Sequence, residues 1–206
     1  MRSAYQHKAA YSSQILITFF LSLVLSACNP EKGPSFQTRD ITGANYGRDF
    51  RLRDPDQHER TLADFRGKIV MVFFGFTQCP DICPTTLLRA AEIYRLLGAD
   101  AEHLQVILIS LDPERDTPEI LHAYTSAFNP SFIGLSTDPE NTQQVAKEFR
   151  VFYRKVPAGD TYTLDHSAES YIFDQQGTLR LAVSYKNTAE AIAADIRTLL
   201  YSRPAP

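Results

Sequence analysis

The fold of this chain is decided by residues 69–84, which read IVMVFFGFTQCPDICP. Residues 69–76 are mostly β-branched and aromatic and do not alternate with polar residues, which is typical of a strand buried on both faces of a sheet. Pro84 fits the first position of a helix and disfavours helical geometry at the preceding residue, so we expect Cys83 at the N-cap. The stretch therefore predicts a central strand, a loop with Cys79 and Cys83, and a helix.

Apolar runs and turn residues divide the rest of the chain into further elements. Weak alternation at 50–54 and 60–62 predicts a small N-terminal edge hairpin. After the first helix we predict strands at 104–111 and 132–135, helices at 117–128, 139–149 and 188–200, an irregular or extended segment at 151–154, and a hairpin of 170–174 with 179–183. This order predicts an α/β fold of thioredoxin-like type, with a central mixed sheet flanked by helices on both faces. Open sheets of this kind carry their sites at the carboxyl ends of strands, where the two cysteines lie.

The N-terminal segment has the pattern of an export signal. Arg2 and Lys8 precede an apolar run at 15–25, which is too short to span a bilayer core of ~30 Å but suits a signal-peptide core. The run ends in LSAC, with small residues before Cys28, as in bacterial lipoprotein signals. We predict a signal peptide at 1–27 and lipidation of Cys28. Ordinary signal cleavage or a short uncleaved anchor is the alternative.

The segment after Cys28 is polar and contains Pro30, Gly33 and Pro34, so residues 28–42 are predicted to form a flexible tether and residues 43–206 one domain. The protein is expected to be exported and lipid-anchored to the cell envelope membrane, with the domain facing the periplasm or extracytoplasmic space. The chain has 21 Lys and Arg residues against 24 Asp and Glu residues, a balance that gives no electrostatic case for nucleic acid as a partner.

Cys79 and Cys83 are the candidate reactive groups of the domain. Disulfides form and persist outside the cytoplasm, and with Cys28 acylated these two cysteines have only each other as disulfide partners. The positive end of a helix dipole stabilises thiolate, the form that attacks disulfides and binds metal. A redox pair and a soft-metal site both remain open. An inert structural disulfide is the weaker alternative, because so short a loop gains little entropic stabilisation.

Two thiolates alone make a poor closed metal site, so a third donor is expected. Four histidines follow Cys28 in the sequence, and we interpret His58, His103 and His122 as surface residues, because they lie in a charged turn, at helix ends or on a polar helical face. His166 differs, because it lies in the segment predicted as the loop leading into the final hairpin. In thioredoxin-like folds that loop faces the cysteine loop. His166 is therefore either a ligand or a plain loop histidine.

Three motifs occur in order along the chain: FFGFTQCPDICP at 73–84, SLDPERDTP at 110–118 and LDHSA at 164–168. Together they resemble the Sco/SenC family of cytochrome c oxidase assembly proteins, and the similarity extends from about Phe50 to Leu200. Glutathione-peroxidase-like and peroxiredoxin-like proteins share the fold but lack this combination of a cysteine pair with Asp-His-Ser.

The resemblance implies a copper site made by Cys79, Cys83 and His166, with Cu(I), Cu(II) or both as the bound ion. Two thiolates and one imidazole suit copper, whereas zinc at a structural site normally has a fourth protein ligand. The resemblance also implies cytochrome c oxidase subunit II as a partner, together with an upstream copper donor or thiol reductant.

Three functions follow as hypotheses. The first is a membrane-anchored copper metallochaperone that helps assemble the binuclear copper centre of subunit II and is not an enzyme in the turnover sense. The second is a thiol-disulfide reductase, with Cys79 and Cys83 as its catalytic pair, that keeps the oxidase copper-site cysteines or other exported thiols reduced. The third is a thiol peroxidase.

Several side chains near these motifs have two interpretations. Asp116 is predicted to cap the helix that opens at Thr117, and support of the ligands by Asp112 and Asp116 is the alternative. Asp165 is a candidate to orient His166, although adjacent side chains often point apart. Aromatic residues are expected either to form a dry shell around the site or to pack in the core, namely Phe74, Phe76 and Phe152.

Overall fold

A mixed six-stranded sheet organises the computed structural model, which describes residues 33–202. The elements in chain order are β1 (Arg39–Asp40), β2 (Leu52–Arg53), β3 (Glu59–Arg60), β4 (Ile69–Gly75), α1 (Ile82–Leu97), β5 (Leu104–Ser110), α2 (Pro118–Ser126), β6 (Ile133–Leu135), α3 (Pro139–Glu148), β7 (Tyr153–Ala158), β8 (Thr161–His166), β9 (Ser170–Phe173), β10 (Leu179–Val183) and α4 (Ala189–Tyr201). The main sheet has the order β1-β10-β9-β4-β5-β6. Strands β4, β5 and β6 are parallel, and the other neighbouring pairs are antiparallel.

Strand β4 lies in the middle of this sheet and is buried along its whole length. Its alternate side chains join two separate hydrophobic clusters, because successive residues of a strand point to opposite faces. One cluster includes Val145 from α3, and the other includes Leu87 from α1, Leu121 from α2 and Ile192 from α4. Helices therefore cover both faces of the sheet, which confirms the predicted thioredoxin-like α/β fold.

The first helix begins earlier than the sequence predicts. Helix α1 starts at Ile82 with Asp81 as its N-cap, so Cys83 lies in the first turn and not at the N-cap. Pro84 is tolerated there because the N–H groups of the first turn have no acceptor within the helix. The expectation that both sulfurs lie at the positive end of the helix is unaffected by this correction.

Residues 153–166 form a hairpin that the sequence does not predict. Strands β7 and β8 pair antiparallel as a separate two-stranded sheet, joined by the two residues Gly159 and Asp160. Gly159 has a φ of 62°, which glycine adopts without strain in tight hairpin turns. His166 is consequently the last residue of a strand, paired with Tyr153, and not a loop residue as predicted. The predicted irregular segment at 151–154 leads into the same hairpin.

The predicted N-terminal hairpin forms as β2 and β3 and joins the main fold through a bridge between Arg53 and Ser136. The chain is already attached to the domain before residue 43. Strand β1 pairs with β10, and the Thr38 hydroxyl donates to the buried Asp195 carboxylate over 2.7 Å. The later part of the predicted tether therefore belongs to the folded unit, which begins at Ser35.

The predicted signal peptide and Cys28 lie outside the described residues. Within residues 33–202, no helix is both long enough and apolar enough to cross a membrane.

Candidate metal and redox site

The structure brings the three predicted ligands together at the carboxyl end of β4. Cys79 comes from the loop after β4, Cys83 from the first turn of α1, and His166 from the end of β8. Their sulfur and imidazole nitrogen atoms all lie within 4.8 Å of one another, and Cys83 Sγ is 3.9 Å from His166 Nε2. Both cysteines are free thiols, with Cys79 half-buried and Cys83 buried. Two soft donors and one borderline donor thus face a common point.

Gly75, the last residue of β4, makes room for the Cys83 sulfur. A Cβ atom at this position would lie 2.5 Å from Cys83 Sγ and 3.3 Å from a methyl carbon of Leu108. The first distance is much shorter than a van der Waals contact, and Cys83 is surrounded by the core. The buried Cys83 sulfur therefore occupies the space that a side chain at position 75 would fill.

The two thiols differ in their protonation. A hydrogen bond with Cys83 holds the pKa of Cys79 far below that of an ordinary thiol, and His166 and backbone N–H groups lower it further against the opposing effect of burial. The same pairing with Cys79 raises the pKa of Cys83, and burial raises it further. The pair therefore consists of a half-buried thiolate at Cys79 beside a buried, protonated Cys83.

His166 presents Nε2 to the sulfurs because its other nitrogen has a partner of its own. Nδ1 donates to the backbone carbonyl oxygen of Ser167 over 2.8 Å, so the neutral ring carries its lone pair on Nε2. Burial lowers the pKa of His166, but the hydrogen bonds to Cys79 and to the Ser167 carbonyl raise it by more. The side chain of Asp165 instead pairs with Arg154 at 3.1 Å. The carbonyl of Ser167, and not Asp165, therefore orients the ring.

Of the three aromatic residues considered for a dry shell, Phe76 contacts the site. Its ring meets the His166 ring edge-on, with 5.8 Å between the centroids. Phe74 packs in the core against Phe149, at a centroid distance of 5.1 Å. Phe152 is 57% exposed, so its assignment to the shell or to the core is wrong.

The sequence predicts that Asp116 caps α2, and this prediction is wrong. Thr117 is the N-cap, and the Asp116 side chain is 98% buried beneath the cysteine loop. The hydroxyls of Thr77 and Ser110 each donate to this carboxylate over 2.6 Å. Burial raises the pKa of Asp116, although these hydrogen bonds lower it. The capping rule is local, whereas the contact with Thr77 joins residues far apart in sequence, so no sequence signal distinguished the two roles.

The other histidines stay away from this site. His58, His103 and His122 are exposed, as predicted. Potential ligand atoms of His58, Asp54 and Asp56 also lie within 4.8 Å of one another, but the Asp54 carboxylate already accepts from Arg60 over 2.8 Å. This second cluster is explained by the β2–β3 turn that it holds together.

The fold and the site together define a class: a thioredoxin-like protein whose two cysteines, with three residues between them, are joined by a histidine from outside the central sheet. A family model described as SCO1/SenC matches residues 38–201, and this chain belongs to the SCO1/SenC family.

Relatives in other organisms agree with this assignment. An SCO2-like protein of Rickettsia felis is 37% identical over 161 residues, which cover 76% of this chain and 78% of the relative. ScoI of Bradyrhizobium japonicum, solved with copper bound, is 41% identical with a TM-score of 0.69 over 76% of this chain and 100% of that one. Apo Sco1 of Thermus thermophilus is 39% identical with a TM-score of 0.72 over 81% of this chain and 98% of that one.

Proposed function

We propose that this protein binds one copper ion through Cys79, Cys83 and His166 and carries it to the binuclear copper centre of cytochrome c oxidase subunit II. The observation that carries the proposal is the meeting of two sulfurs and one imidazole nitrogen within 4.8 Å. Thiolate and imidazole ligands bind copper in preference to harder cations such as Mg²⁺ and Ca²⁺. Copper bound to the Bradyrhizobium relative supports the same cargo here.

The donor set fits copper better than zinc. The cluster contains no fourth His, Cys, Asp or Glu ligand among residues 33–202, whereas structural zinc sites are normally closed by four protein ligands. Cys79 already supplies a thiolate, and Cys83 would lose its proton when the ion binds, so loading releases a proton. Half-burial of Cys79 leaves one ligand accessible to an acceptor protein, which suits transfer by ligand exchange.

The proposal includes anchoring to the cell envelope membrane. The signal pattern at 1–27 and the cysteine at position 28 support export and lipidation, and the folded unit that begins at Ser35 would stay close to the membrane surface. This location is the one at which an extracytoplasmic domain of an oxidase subunit is accessible.

The first experiment is copper titration of the exported chain, residues 28–206 with Cys28→Ser, under reducing conditions. Metal analysis should give one copper per chain, and X-ray absorption should give two sulfur ligands and one nitrogen ligand. His166→Ala should weaken Cu(I) binding by at least about tenfold and remove the nitrogen ligand. Unchanged affinity in this variant would contradict the three-ligand site.

A second candidate function is thiol-disulfide reduction of the oxidase copper-site cysteines. The observation that favours it is the contrast between the half-buried Cys79 thiolate and the buried Cys83 thiol, which is the arrangement of an attacking and a resolving cysteine. In this reaction Cys79 attacks a target disulfide and releases one target thiol, and Cys83 then loses its proton and attacks the Cys79 sulfur, which forms the Cys79–Cys83 disulfide and releases the second target thiol. Ready cycling of the pair without retained copper would favour this function over copper delivery.

A further inference from the structure

The loop between β5 and α2, residues 111–117, contacts both halves of the site, and we call it the bridging loop. On one side, Asp116 accepts from the backbone N–H of Thr77 over 3.2 Å and from its hydroxyl over 2.6 Å. These contacts hold the chain two residues before Cys79. On the other side, the bridging loop contacts Tyr162 of β8, the strand that ends at His166. The bridging loop therefore joins the cysteine loop to the histidine-bearing strand.

Arg115 makes both connections with a single guanidinium group. Its Nη1 donates to the side-chain oxygen of Gln78 over 3.0 Å and to the backbone carbonyl of Tyr162 over 2.8 Å. Its Nε donates to the Asp112 carboxylate. The side chain is 16% exposed, so water competes weakly for these contacts. The residue beside Cys79 and the strand of His166 thus share one rigid, planar donor.

Tyr162 completes the connection. Its ring lies under the Arg115 guanidinium, 3.7 Å from the central carbon to the ring centroid, and its hydroxyl donates to Asp112 over 2.7 Å. Asp112 is 99% buried, so the accepting end of this hydrogen bond is shielded from water. Tyr162 and His166 lie four residues apart on one strand and therefore point to the same side of the hairpin. A shift of Tyr162 would carry His166 with it.

The hairpin has few other fixed points. A two-stranded ribbon is marginal by itself, and Leu164 is the one buried residue in 153–166. The Lys155–Glu114 ion pair also joins the hairpin to the bridging loop, but both side chains are about half exposed. Two hydrogen bonds close the base of the hairpin without reaching the cysteine loop: the Ser167 N–H donates to the Phe152 carbonyl, and the Phe152 N–H donates to the Ser167 hydroxyl.

We propose that Arg115 is a positioning residue that sets the distance between His166 and the two cysteines by clamping Tyr162 to the cysteine loop. The inference rests on the proposed copper site and adds to it a residue that touches none of the ligands. Arg115 contacts both Gln78 and the Tyr162 carbonyl, and its proposed contribution to metal binding passes through the hairpin and His166.

The test is a double-mutant cycle in the exported chain with Cys28→Ser. Arg115→Met removes the donors while keeping much of the side-chain volume, and we expect it to weaken Cu(I) binding by roughly 10- to 100-fold, as loss of residues that orient ligands does. X-ray absorption should show the nitrogen ligand lost or weakened, with both sulfurs retained. In a His166→Ala background, Arg115→Met should cause no further loss of affinity, because the route of its effect is already gone.

Two further variants keep the test decisive. Arg154→Met removes an exposed guanidinium from the same hairpin that does not contact the bridging loop, and it should leave the affinity and the nitrogen ligand unchanged. Tyr162→Phe removes only the hydroxyl that donates to Asp112, and it should weaken Cu(I) binding by less than Arg115→Met does. It replaces Arg115→Met in the test if circular dichroism shows that Arg115→Met does not fold, and unchanged affinity would then overturn the proposal.

The outcomes separate the two proposals. If the unsubstituted chain retains no copper, the proposed function fails. If it binds copper with two sulfurs and one nitrogen, and the folded Arg115→Met variant has the same affinity and ligands, the positioning role alone is overturned. Equal losses from Arg115→Met with and without His166 would also overturn it, since the residue would then act on general stability.

Discussion

The cysteines and the histidine are held by very different parts of the molecule. Strand β4 is buried along its whole length between two hydrophobic clusters, and six residues separate it from α1, with Cys83 buried in the first turn of that helix. The β7–β8 hairpin is mostly exposed and is attached by Leu164, by Arg115 with Tyr162, and by its own base. Cys83 is thus fixed by the core, whereas His166 depends on a hairpin held by one buried leucine, two partly buried tyrosines and polar contacts.

The largest expected effect is on stability, and it comes from making the same substitution at a buried and at an exposed phenylalanine. Phe73→Ala in β4 should lower the free energy of unfolding by about 3–5 kcal/mol, because it leaves a cavity beneath a strand buried on both faces. Phe152→Ala next to the hairpin is the control, since that ring is 57% exposed and its removal should leave stability nearly unchanged. Urea unfolding of both variants measures the difference, and equal losses would contradict the comparison.

Copper should join the two regions. Native-state hydrogen exchange of the apo protein should show the β7–β8 amides opening at a lower free energy than those of β4 and β5. With Cu(I) buffered at one hundred times its dissociation constant, openings that separate His166 from the cysteines should become harder by about 2.7 kcal/mol. The His166→Ala variant is the control, and its hairpin should gain no protection. Protection that rises equally in this variant would show that the hairpin is not tied down through its histidine.

Within the rigid region, Gly75→Ala should disturb the fold and the site together. The added Cβ would lie 2.5 Å from Cys83 Sγ, and overpacking of this kind typically costs about 1–3 kcal/mol. We expect a lower unfolding midpoint in urea together with weaker Cu(I) binding. Gly33→Ala is the matched control, because nothing lies within 4 Å of a Cβ at that position. A stable Gly75→Ala variant with unchanged copper affinity would show that the core yields at this point.

The smallest effect is expected for Lys155→Ala, which removes the exposed ion pair between the hairpin and the bridging loop. Lys155 lowers the pKa of Glu114 from its ordinary value of 4.5, so any stabilisation is present above that pH and is lost as the pH falls through the lowered pKa. Unfolding curves should show a slight deficit of the variant near neutral pH that vanishes in acid and in high salt. A large deficit near neutral pH that vanishes in acid would mean that this outer ion pair, and not Arg115, holds the hairpin.

The part of the structure with strong hydrophobic periodicity could be predicted from the sequence. The predicted strand β4 and helix α1 agree with the structure to within about two residues at each end. An uninterrupted apolar run is typical of a strand buried on both faces, and Pro84 and Gly98 mark the ends of the helix. The β7–β8 hairpin was missed, since its side chains are largely polar and Pro157 lowers its strand propensity. The Gly159-Asp160 pair was the available turn signal.

The chemistry of the site shows the same division. The cysteine pair was apparent from its spacing, whereas the role of His166 depended on a family resemblance, because the elements between it and Cys83 leave their relative placement open. The sequence predicts no role for Arg115 and favours a local cap over ligand support for Asp116, because the contacts with Gln78 and Thr77 exist only after the chain has folded. Long-range polar contacts leave no periodic trace in a sequence.

The contact between Gly75 and Cys83 has a consequence for inheritance. A mutation that adds any side chain at position 75 meets the sulfur eight residues further along, so the two codons constrain each other. A lineage that loses the cysteine relieves that constraint, and position 75 then becomes free to vary. Comparison of descendants should therefore find the glycine retained wherever the cysteine is retained.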